Sequence, residues 1–348
     1  MTLRVVQWNT GIVGTSAVRA MLRHPGLEVV GCFAYAEEKR GEDVGTLCGV
    51  DPVGVKASSD EAELLALRPD CVLYNPLFPD VDVMVRILEA GINLVSTSYF
   101  ITGRSRYFGE EGVGRLEVAA RSGGVSLYGS GVNPGFANVM GLLVTGVCRE
   151  VRRVSVLESV DCTHYASPET WRACGLGRPV DDPEIHDMAR SLTAVFEDAV
   201  DMMARALHVE LDEIHYEAEF AAATERVDLG YMTIEKGCAT GIRHGWSGRV
   251  GGRAVIELPI LWTLGDKMEP RWPTEEGYVI EVDGMPSVRS RVQMVYPENS
   301  DGPDFGTITA MPAVHAIEAV CAAPPGIVFA HDLPMIVAKG VTGPMSAG

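Results

Sequence analysis

Residues 1–14 read MTLRVVQWNTGIVG, and the fold turns on how this stretch is understood. The mostly apolar run Val5-Val6-Gln7-Trp8 passes straight into Asn9-Thr10-Gly11-Ile12-Val13-Gly14. A buried strand that breaks at glycines and opens into a helix is the setting of the dinucleotide fingerprint G-x-G-x-x-G. That pattern puts glycine at positions 9, 11 and 14; here Asn9 takes the first place and Gly11 and Gly14 keep the others. A glycine at 11 lets the backbone approach a pyrophosphate, and a glycine at 14 lets the helix pack close to the sheet. The helix N-terminus then offers free amides to the phosphate. Asparagine tolerates left-handed backbone better than most residues, so the substitution is compatible with the turn. Asn9, Thr10, Gly11, Ile12, Val13 and Gly14 are therefore cofactor-binding candidates. The alternative is an α/β domain that keeps the turn without a ligand.

Outward from this turn, strands and helices alternate. Residues 4–9 read as a strand, 14–24 as a helix with Val18, Met21 and Leu22 at helical spacing, and Leu27–Phe33 as a second strand. Together they make one βαβ unit. A short strand near 54–57 and a helix over 60–67 follow, then a strand at 71–74 and a helix at 81–90. A strand at 92–97, a helix at 112–121 and a strand at 125–129 complete the alternation. Such alternation implies a parallel sheet covered on both faces and doubly wound. After Asn133-Pro134-Gly135-Phe136 the pattern changes. A helix over 137–148, a strand over 151–161 and a helical segment over 185–207 lead into long alternating stretches: VELDEIHYEAEFAA (209–222), MTIEKGCATGI (232–242), HGWSGRVGGRAVIELPILWTL (244–264) and YVIEVDGMPSVRSRVQMVYP (278–297). Gly251-Gly252 marks a hairpin tip. The expected fold class is α/β: an N-terminal Rossmann domain (1–136), then an α+β domain (137–306) with a mostly antiparallel sheet. The polar break at 296–306 precedes an apolar tail (307–348), with a helix over 307–322, expected to pack back onto the first domain.

The second strand ends at Ala34-Tyr35-Ala36, with no acidic residue at its tip to hold ribose hydroxyls. Lys39 and Arg40 follow, and a cationic pair there can clamp a 2′-phosphate. NADP is the preferred cofactor on this reading and NAD the alternative. Other strand ends face the ligand crevice of such sheets. They supply Asn75 and Pro76 after the fourth strand, Thr97 and Ser98 at the fifth, and Asn133 after the sixth.

Composition narrows the function classes. The 348 residues are 47% hydrophobic and 22% charged, ordinary for a globular protein large enough for two lobes. The formal net charge of -18 repels nucleic acid and anionic lipid, so neither is expected as a partner. No apolar stretch approaches the ~20 residues that span a bilayer. The N-terminus shows no leader pattern, and a cytoplasmic location is expected. Eight scattered cysteines lack C-x-x-C, which fits reduced thiols, and the eight histidines show no ligand spacing, so no metal is expected.

Several stretches together carry a family resemblance: WNTGIVG (8–14), HPGLEVVGCFAY (24–35), EDVGTLCGVDP (42–52), Asn75-Pro76, GSGVNPGFAN (129–138), WTLGDKMEPRWPTEEGYVIEVDGMPSVRS (262–290) and AMPAVHAIEAVCAAPPGIVFAHDLP (310–334). The chain resembles the dihydrodipicolinate reductase-like proteins that include 2,4-diaminopentanoate dehydrogenases and native amine dehydrogenases. The resemblance spans nearly the whole chain. It implies a Rossmann domain, a second α+β domain, NAD(P)H use and a homodimer built through the second domain's sheet. It also implies interconversion of an amine with a ketone plus ammonia by way of an imine. Two departures stand out. The paired histidine and lysine of dihydrodipicolinate reductase itself are absent from Ser159-Val160-Asp161-Cys162-Thr163-His164-Tyr165, so lysine biosynthesis is not expected. The carboxylate that such amine dehydrogenases place just past the fifth strand is replaced by Tyr99-Phe100-Ile101-Thr102-Gly103.

Hydride transfer needs a substrate carbon held at the nicotinamide and a group that trades a proton with oxygen or nitrogen. The catalytic candidates are Tyr99, which can donate to a carbonyl, His164 beyond the strand 151–161, and Glu110 (or Glu111) as a displaced acid. Glu158 and Asp161 on that strand are either orienting groups or part of a surface face. Phe78, Phe100, Phe136, Tyr165 and Trp171 are candidate walls of an apolar substrate pocket. No convergent arginine pair for a carboxylate is evident, so the expected substrate is a small, mostly apolar carbonyl or amine. Two alternatives stay open: an ammonia-independent ketone or enone reductase, and a non-catalytic NADP-binding sensor or interaction protein.

Overall fold

The computed structural model describes residues 2–98, 107–296 and 304–342. It divides into two compact units, one of residues 1–136 with 304–348 and one of residues 137–303.

The first unit is built on strands β1 (Leu3–Trp8), β2 (Leu27–Phe33), β3 (Ala57–Ser58), β4 (Cys71–Tyr74), β5 (Asn93–Ser96) and β6 (Ser126–Gly129). A seventh short strand, Gly326–Ile327, pairs with β6. The order is Gly326–Ile327, β6, β5, β4, β1, β2, β3, and every neighbouring pair is parallel. The strand order reverses between β1 and β4, the topological switch of a doubly wound sheet, beside which such folds bind their ligands. Val5, Val6, Gln7 and Trp8 are completely buried, as a central strand covered on both faces requires.

Helix α1 (Ile12–Met21) covers one face with the C-terminal helix Phe305–Cys321, and Ala17, Val18, Met21, Ala313, Val314 and Ile317 share one core. The two helices approach so closely that a Cβ at Gly306 would fall 2.8 Å from the carbonyl oxygen of Ile12. Helices α2 (Val44–Leu47), α3 (Glu61–Ala66), α4 (Val81–Glu89) and α5 (Gly109–Gly123) complete the unit. On the opposite face of the sheet, Leu64 of α3, Met84 and Ile87 of α4 and Leu116 of α5 pack on Val6, Trp8, Val72 and Leu94. The C-terminal helix starts at Phe305 rather than 307, because Asp304 caps it: its Oδ1 accepts from Thr307 N at 2.9 Å.

The second unit opens with α6 (Ala137–Thr145), shorter than the expected 137–148, and the long strand β7 (Glu150–Asp161). Helices α7 (Pro168–Ala173), α8 (Ile185–Leu192) and α9 (Val195–Ala206) follow. The segment 185–207 is thus two helices and not one; they part at Thr193, whose hydroxyl donates to Ala189 O at 2.7 Å. The remaining strands are β8 (Glu213–Ala223), β9 (Val227–Asp228), β10 (Thr233–Ile234), β11 (Ala239–Val250), β12 (Arg253–Thr263), β13 (Met268–Glu269), β14 (Gly277–Met285) and β15 (Val288–Val292). Residues 232–242 do not make one strand. They break between β10 and β11 in a turn where Gly237 takes φ +86°. The main sheet runs β13-β8-β11-β12-β7-β14-β15. Only the β12–β7 pair is parallel, so the sheet is mixed but mostly antiparallel. Its inner face carries Val154, Val156, Ile256, Leu258, Ile260 and Ile280, all buried, and Phe196, Val200 and Met203 of α9 are buried with them. Its outer face carries cross-strand ion pairs, among them Arg153–Glu257 and Arg289–Glu281.

Candidate functional site

In the first unit, Asn9 stands at φ +80°, the left-handed backbone that a glycine usually supplies at this turn. Its side chain stabilises that conformation locally, since Oδ1 accepts from Thr10 N at 2.9 Å. Gln7 locks the turn from behind, donating from Nε2 to Asn9 O at 2.8 Å and to Asn75 Oδ1 at 2.7 Å. The two glycines then play different parts. A Cβ at Gly14 would lie 2.1 Å from Asn9 O, so only glycine fits between helix and turn. A Cβ at Gly11 would meet nothing within 4 Å. Gly11 is the N-cap of α1, and no side chain caps the helix there. An uncapped helix N-terminus beside open space is what a pyrophosphate needs, so the chain's own residues fit a dinucleotide.

Lys39 reaches this turn from the 3₁₀ segment after β2. Its Nζ donates to Thr10 O at 3.1 Å and to Thr10 Oγ1 at 3.2 Å. A cation thus stands against the turn at the place where the fold recognises the ribose. Arg40 is exposed beside it.

The remaining strand tips are tied together. Asn75, nearly buried, donates from Nδ2 to Thr97 Oγ1 at 2.5 Å while its Oδ1 accepts from Gln7. Ser98 donates to Pro76 O at 2.5 Å, and Ser130 N donates to Ser96 O at 2.8 Å. Asn75, Pro76, Thr97 and Ser98 thus hold the edge in shape, and both functional ends of the Asn75 amide are already engaged. Asn133 is extended and half-buried, joined to Pro134 by a cis bond. Phe78 and Phe136 are exposed, and with Leu77 they leave an apolar rim at the C-terminal edge of this sheet. Glu110 is exposed in the first turn of α5. Tyr99 and Phe100 lie outside the described residues.

In the second unit, His164 is exposed in the turn after β7. Asp161 organises that turn, its Oδ1 accepting from Thr163 N at 2.9 Å and from Thr163 Oγ1 at 2.6 Å. Trp171 lies in the core, 3% exposed, with its Nε1 donating to Tyr165 O at 2.9 Å. The half-buried Tyr165 meets it edge-on at 5.6 Å. Glu158 faces inward, 8% exposed, where its strand is otherwise apolar. Trp262 Nε1 donates to Glu158 Oε1 at 2.6 Å. The Tyr278 hydroxyl also hydrogen-bonds Glu158; burial and then the Glu158 charge push that hydroxyl well above the usual tyrosine range. His244 sits against Trp262, ring centroids 5.3 Å apart, and burial alone lowers it to about 3, so it is neutral.

Sequence reasoning overlooked Gln7, Trp262, Tyr278 and His244. Gln7 had a visible signal, a lone amide inside a central apolar strand. Strand register brings two of the others to Glu158, Tyr278 directly opposite it and Trp262 opposite Val160 one step along the same face, and the ring of His244 then lies against Trp262.

Comparison with known proteins bears on the whole chain. Residues 138–345 match the family described as the 2,4-diaminopentanoate dehydrogenase C-terminal domain. An amine dehydrogenase of Streptomyces virginiae is 30% identical over 356 aligned positions, covering 98% of this chain and 99% of that protein. A 2,4-diaminopentanoate dehydrogenase of Acetoanaerobium sticklandii is 22% identical, covering 96% and 94%. The structure of an amine dehydrogenase from Mycobacterium smegmatis superposes with TM-score 0.79 at 22% identity, covering 97% of this chain and 98% of that one, which shows a shared fold.

Proposed function

The chain belongs to the family of 2,4-diaminopentanoate and amine dehydrogenases, and on that premise we propose that it is an NAD(P)-dependent oxidoreductase acting on CH–NH2 donors. In the reaction a ketone, ammonia, NAD(P)H and one proton give a primary amine, water and NAD(P)+, in either direction. The substrate is a small, mostly apolar ketone or amine. The observation that carries the reading is the turn at residues 9–14: Asn9 holds the left-handed position, Gly14 is sterically required, and Gly11 faces open space beside an uncapped helix N-terminus.

A bound nicotinamide dinucleotide supplies or accepts the hydride. The chain's own residues hold it and shape the surroundings. The amides that open α1 bind pyrophosphate, and Lys39 with Arg40 receives a 2′-phosphate, which favours NADP over NAD. Gln7, Asn75, Thr97 and Ser98 keep the strand tips rigid beneath the cofactor, and Asn133 offers its amide to the nicotinamide side. Phe78 and Phe136 give the edge an apolar character suited to the substrate. Tyr99, His164 and Glu110 remain the proposed proton-handling residues.

A homodimer through the outer face of the second sheet completes the reading. That face holds a hollow of about 570 Å³ lined by Leu157, Pro259, Leu261 and Val279 between charged side chains. Self-complementary ion pairs around an apolar centre suit a two-fold contact. Sedimentation velocity should show a species of twice the chain mass. A cytoplasmic enzyme is the consistent setting; among the described residues no helix is long and apolar enough to cross a membrane.

One sequence feature favours a second reading. The stretch just past β5, Tyr99-Phe100-Ile101, is not acidic, which suits a ketone or enone reductase indifferent to ammonia. Oxidation of NADPH and NADH against a panel of ketones and aldehydes, with and without ammonium at alkaline pH, decides between them. Ammonium-dependent turnover is expected. Turnover indifferent to ammonium overturns the amine reading and selects the reductase.

A further inference from the structure

Cys71 opens β4 and Cys321 closes the C-terminal helix, so most of the chain lies between them. Both side chains belong to the core that this helix shares with α1 and the sheet of the first unit. Cys71 is completely buried there, whereas Cys321 is half-buried at the rim. The Cys321 thiol donates to the carbonyl oxygen of Asp70, the residue before Cys71, at 3.7 Å. That oxygen already accepts from Asn93 Nδ2 at 2.9 Å, so the thiol is a weak extra donor and is held loosely. The Cys71 and Cys321 thiols also hydrogen-bond each other. A buried cysteine ordinarily packs as a small apolar group. Two thiols in mutual contact, one of them reachable from solvent, are the arrangement that thiol–disulfide exchange needs.

We propose that Cys71 and Cys321 are a redox modification site, which low-molecular-weight disulfides convert into a reversible disulfide stapling the C-terminal helix to β4. The site is independent of the reaction proposed above. The half-buried Cys321 reacts first. Its thiolate, the proton lost to solvent, attacks one sulfur of the small disulfide, forms a mixed disulfide and expels one small thiolate. Cys71 then attacks the Cys321 sulfur, and its proton passes to the second small thiolate as that leaves. Two thiols of the chain are oxidised and one small disulfide is reduced to two thiols, so no other oxidant is required. Burial above all pushes the Cys71 thiol well above the usual cysteine range. It therefore does not start the exchange, but it completes it against a sulfur already in contact. The two sulfurs have only to close from hydrogen-bond contact to about 2.05 Å. The staple closes most of the chain into one loop, the case in which a cross-link restricts the unfolded chain most.

The test treats the full reduced chain with excess oxidised glutathione near pH 8, followed by an acid quench, alkylation and digestion without reductant. The digest should yield a linked peptide pair that holds Cys71 and Cys321. Cys148 and Cys238, also part-exposed, should at most carry glutathione. The oxidised protein should melt about 5 °C or more above the reduced one, and dithiothreitol should reverse the rise. Cys321→Ser changes a half-buried position. It should show neither link nor rise, melting within about 2 °C of reduced wild type before and after oxidant. Glutathione retained on Cys321 with no link to Cys71 overturns the proposal. So does an unreactive Cys321, a link from either residue to some other cysteine, or a rise in melting temperature that persists in Cys321→Ser. A Cys71–Cys321 link that leaves the melting temperature unchanged overturns the staple. The wild-type peptide map decides by itself if Cys321→Ser does not fold.

Discussion

Replacing Gly11 by valine separates binding from folding more cleanly than any other single change at the turn. Gly11 has φ -78° and ψ -165°, values open to any L-residue, and an added Cβ would meet nothing within 4 Å. Folding stability should therefore change by less than about 0.5 kcal/mol. The same Cβ and its two methyl groups would stand in the space through which a phosphate reaches the amides of α1. Losing two charge-assisted hydrogen bonds at roughly 1.5–3 kcal/mol each removes about 3–6 kcal/mol of binding. That is a loss of about 10²–10⁴-fold in dinucleotide affinity. Gly14→Ala is the internal contrast. Its Cβ would sit 2.1 Å from Asn9 O and 2.9 Å from Gln7 Nε2, so the helix must move off the turn. The cost is about 1–3 kcal/mol of stability or more. Thermal unfolding and fluorescence titration with NADPH, run on both variants, give the two quantities side by side. A Gly11→Val protein that melts like wild type and still binds NADPH within threefold would refute the assignment of the turn as the phosphate site. A Gly11→Val protein that fails to fold would refute the open-space geometry.

Three further outcomes follow from the same geometry. Lys39→Ala should weaken NADPH binding about tenfold or more, leave NADH nearly unchanged, and flatten the salt dependence of NADPH binding, as equilibrium titrations at two ionic strengths can check. His244 is buried neutral with a folded pKa of about 3 and both ring nitrogens without a hydrogen-bond partner; a depressed histidine pKa costs stability as pH falls below the unfolded value near 6.5, so His244→Phe should recover about 2 kcal/mol of relative stability at pH 5 against pH 7.5, read by urea melts. Burial works to raise the Asp43 pKa, but hydrogen bonds from the backbone N–H groups of Val53, Thr46, Gly54 and Gly45 outweigh it and hold the carboxyl below its usual value; its contribution is present above the unfolded pKa near 4 and lost as pH falls through the lower folded one, so Asp43→Ala should lower Tm at pH 7 and narrow the gap to wild type in strong acid.

Local pattern was enough for most elements of the first unit, though not for the one-turn helix α2 (Val44–Leu47), because their signals are short-range. The run Val5–Trp8 reads as a strand buried on both faces, and Asn9 as a residue that tolerates left-handed backbone; φ +80° is what its amide supports. Boundaries shifted where a side chain acted as a cap, as Asp304 does, or where a hydroxyl cut a helix, as at Thr193. Gly326–Ile327 escaped notice because two residues carry no period; they become a strand only by lying beside Ser126–Leu127. The second unit's helical break and the turn at Gly237 were likewise hidden by apolar runs that continue across them.

The candidate sites divide along the same line. The sequence by itself determined the glycine turn after β1, the α/β class and the presence of a cationic pair after the second strand, because each lies within a few consecutive residues and obeys local backbone rules. Only the tertiary structure decided that Gly14 is required by the Asn9 carbonyl, that Lys39 reaches Thr10, and that Trp171 belongs to a core. It alone brought Trp262 and Tyr278 to Glu158, each from more than a hundred residues away. The physical reason is strand register. A residue's own neighbours fix whether it is strand or turn, but the side chain it faces belongs to another strand, and that pairing is set by packing across the whole sheet.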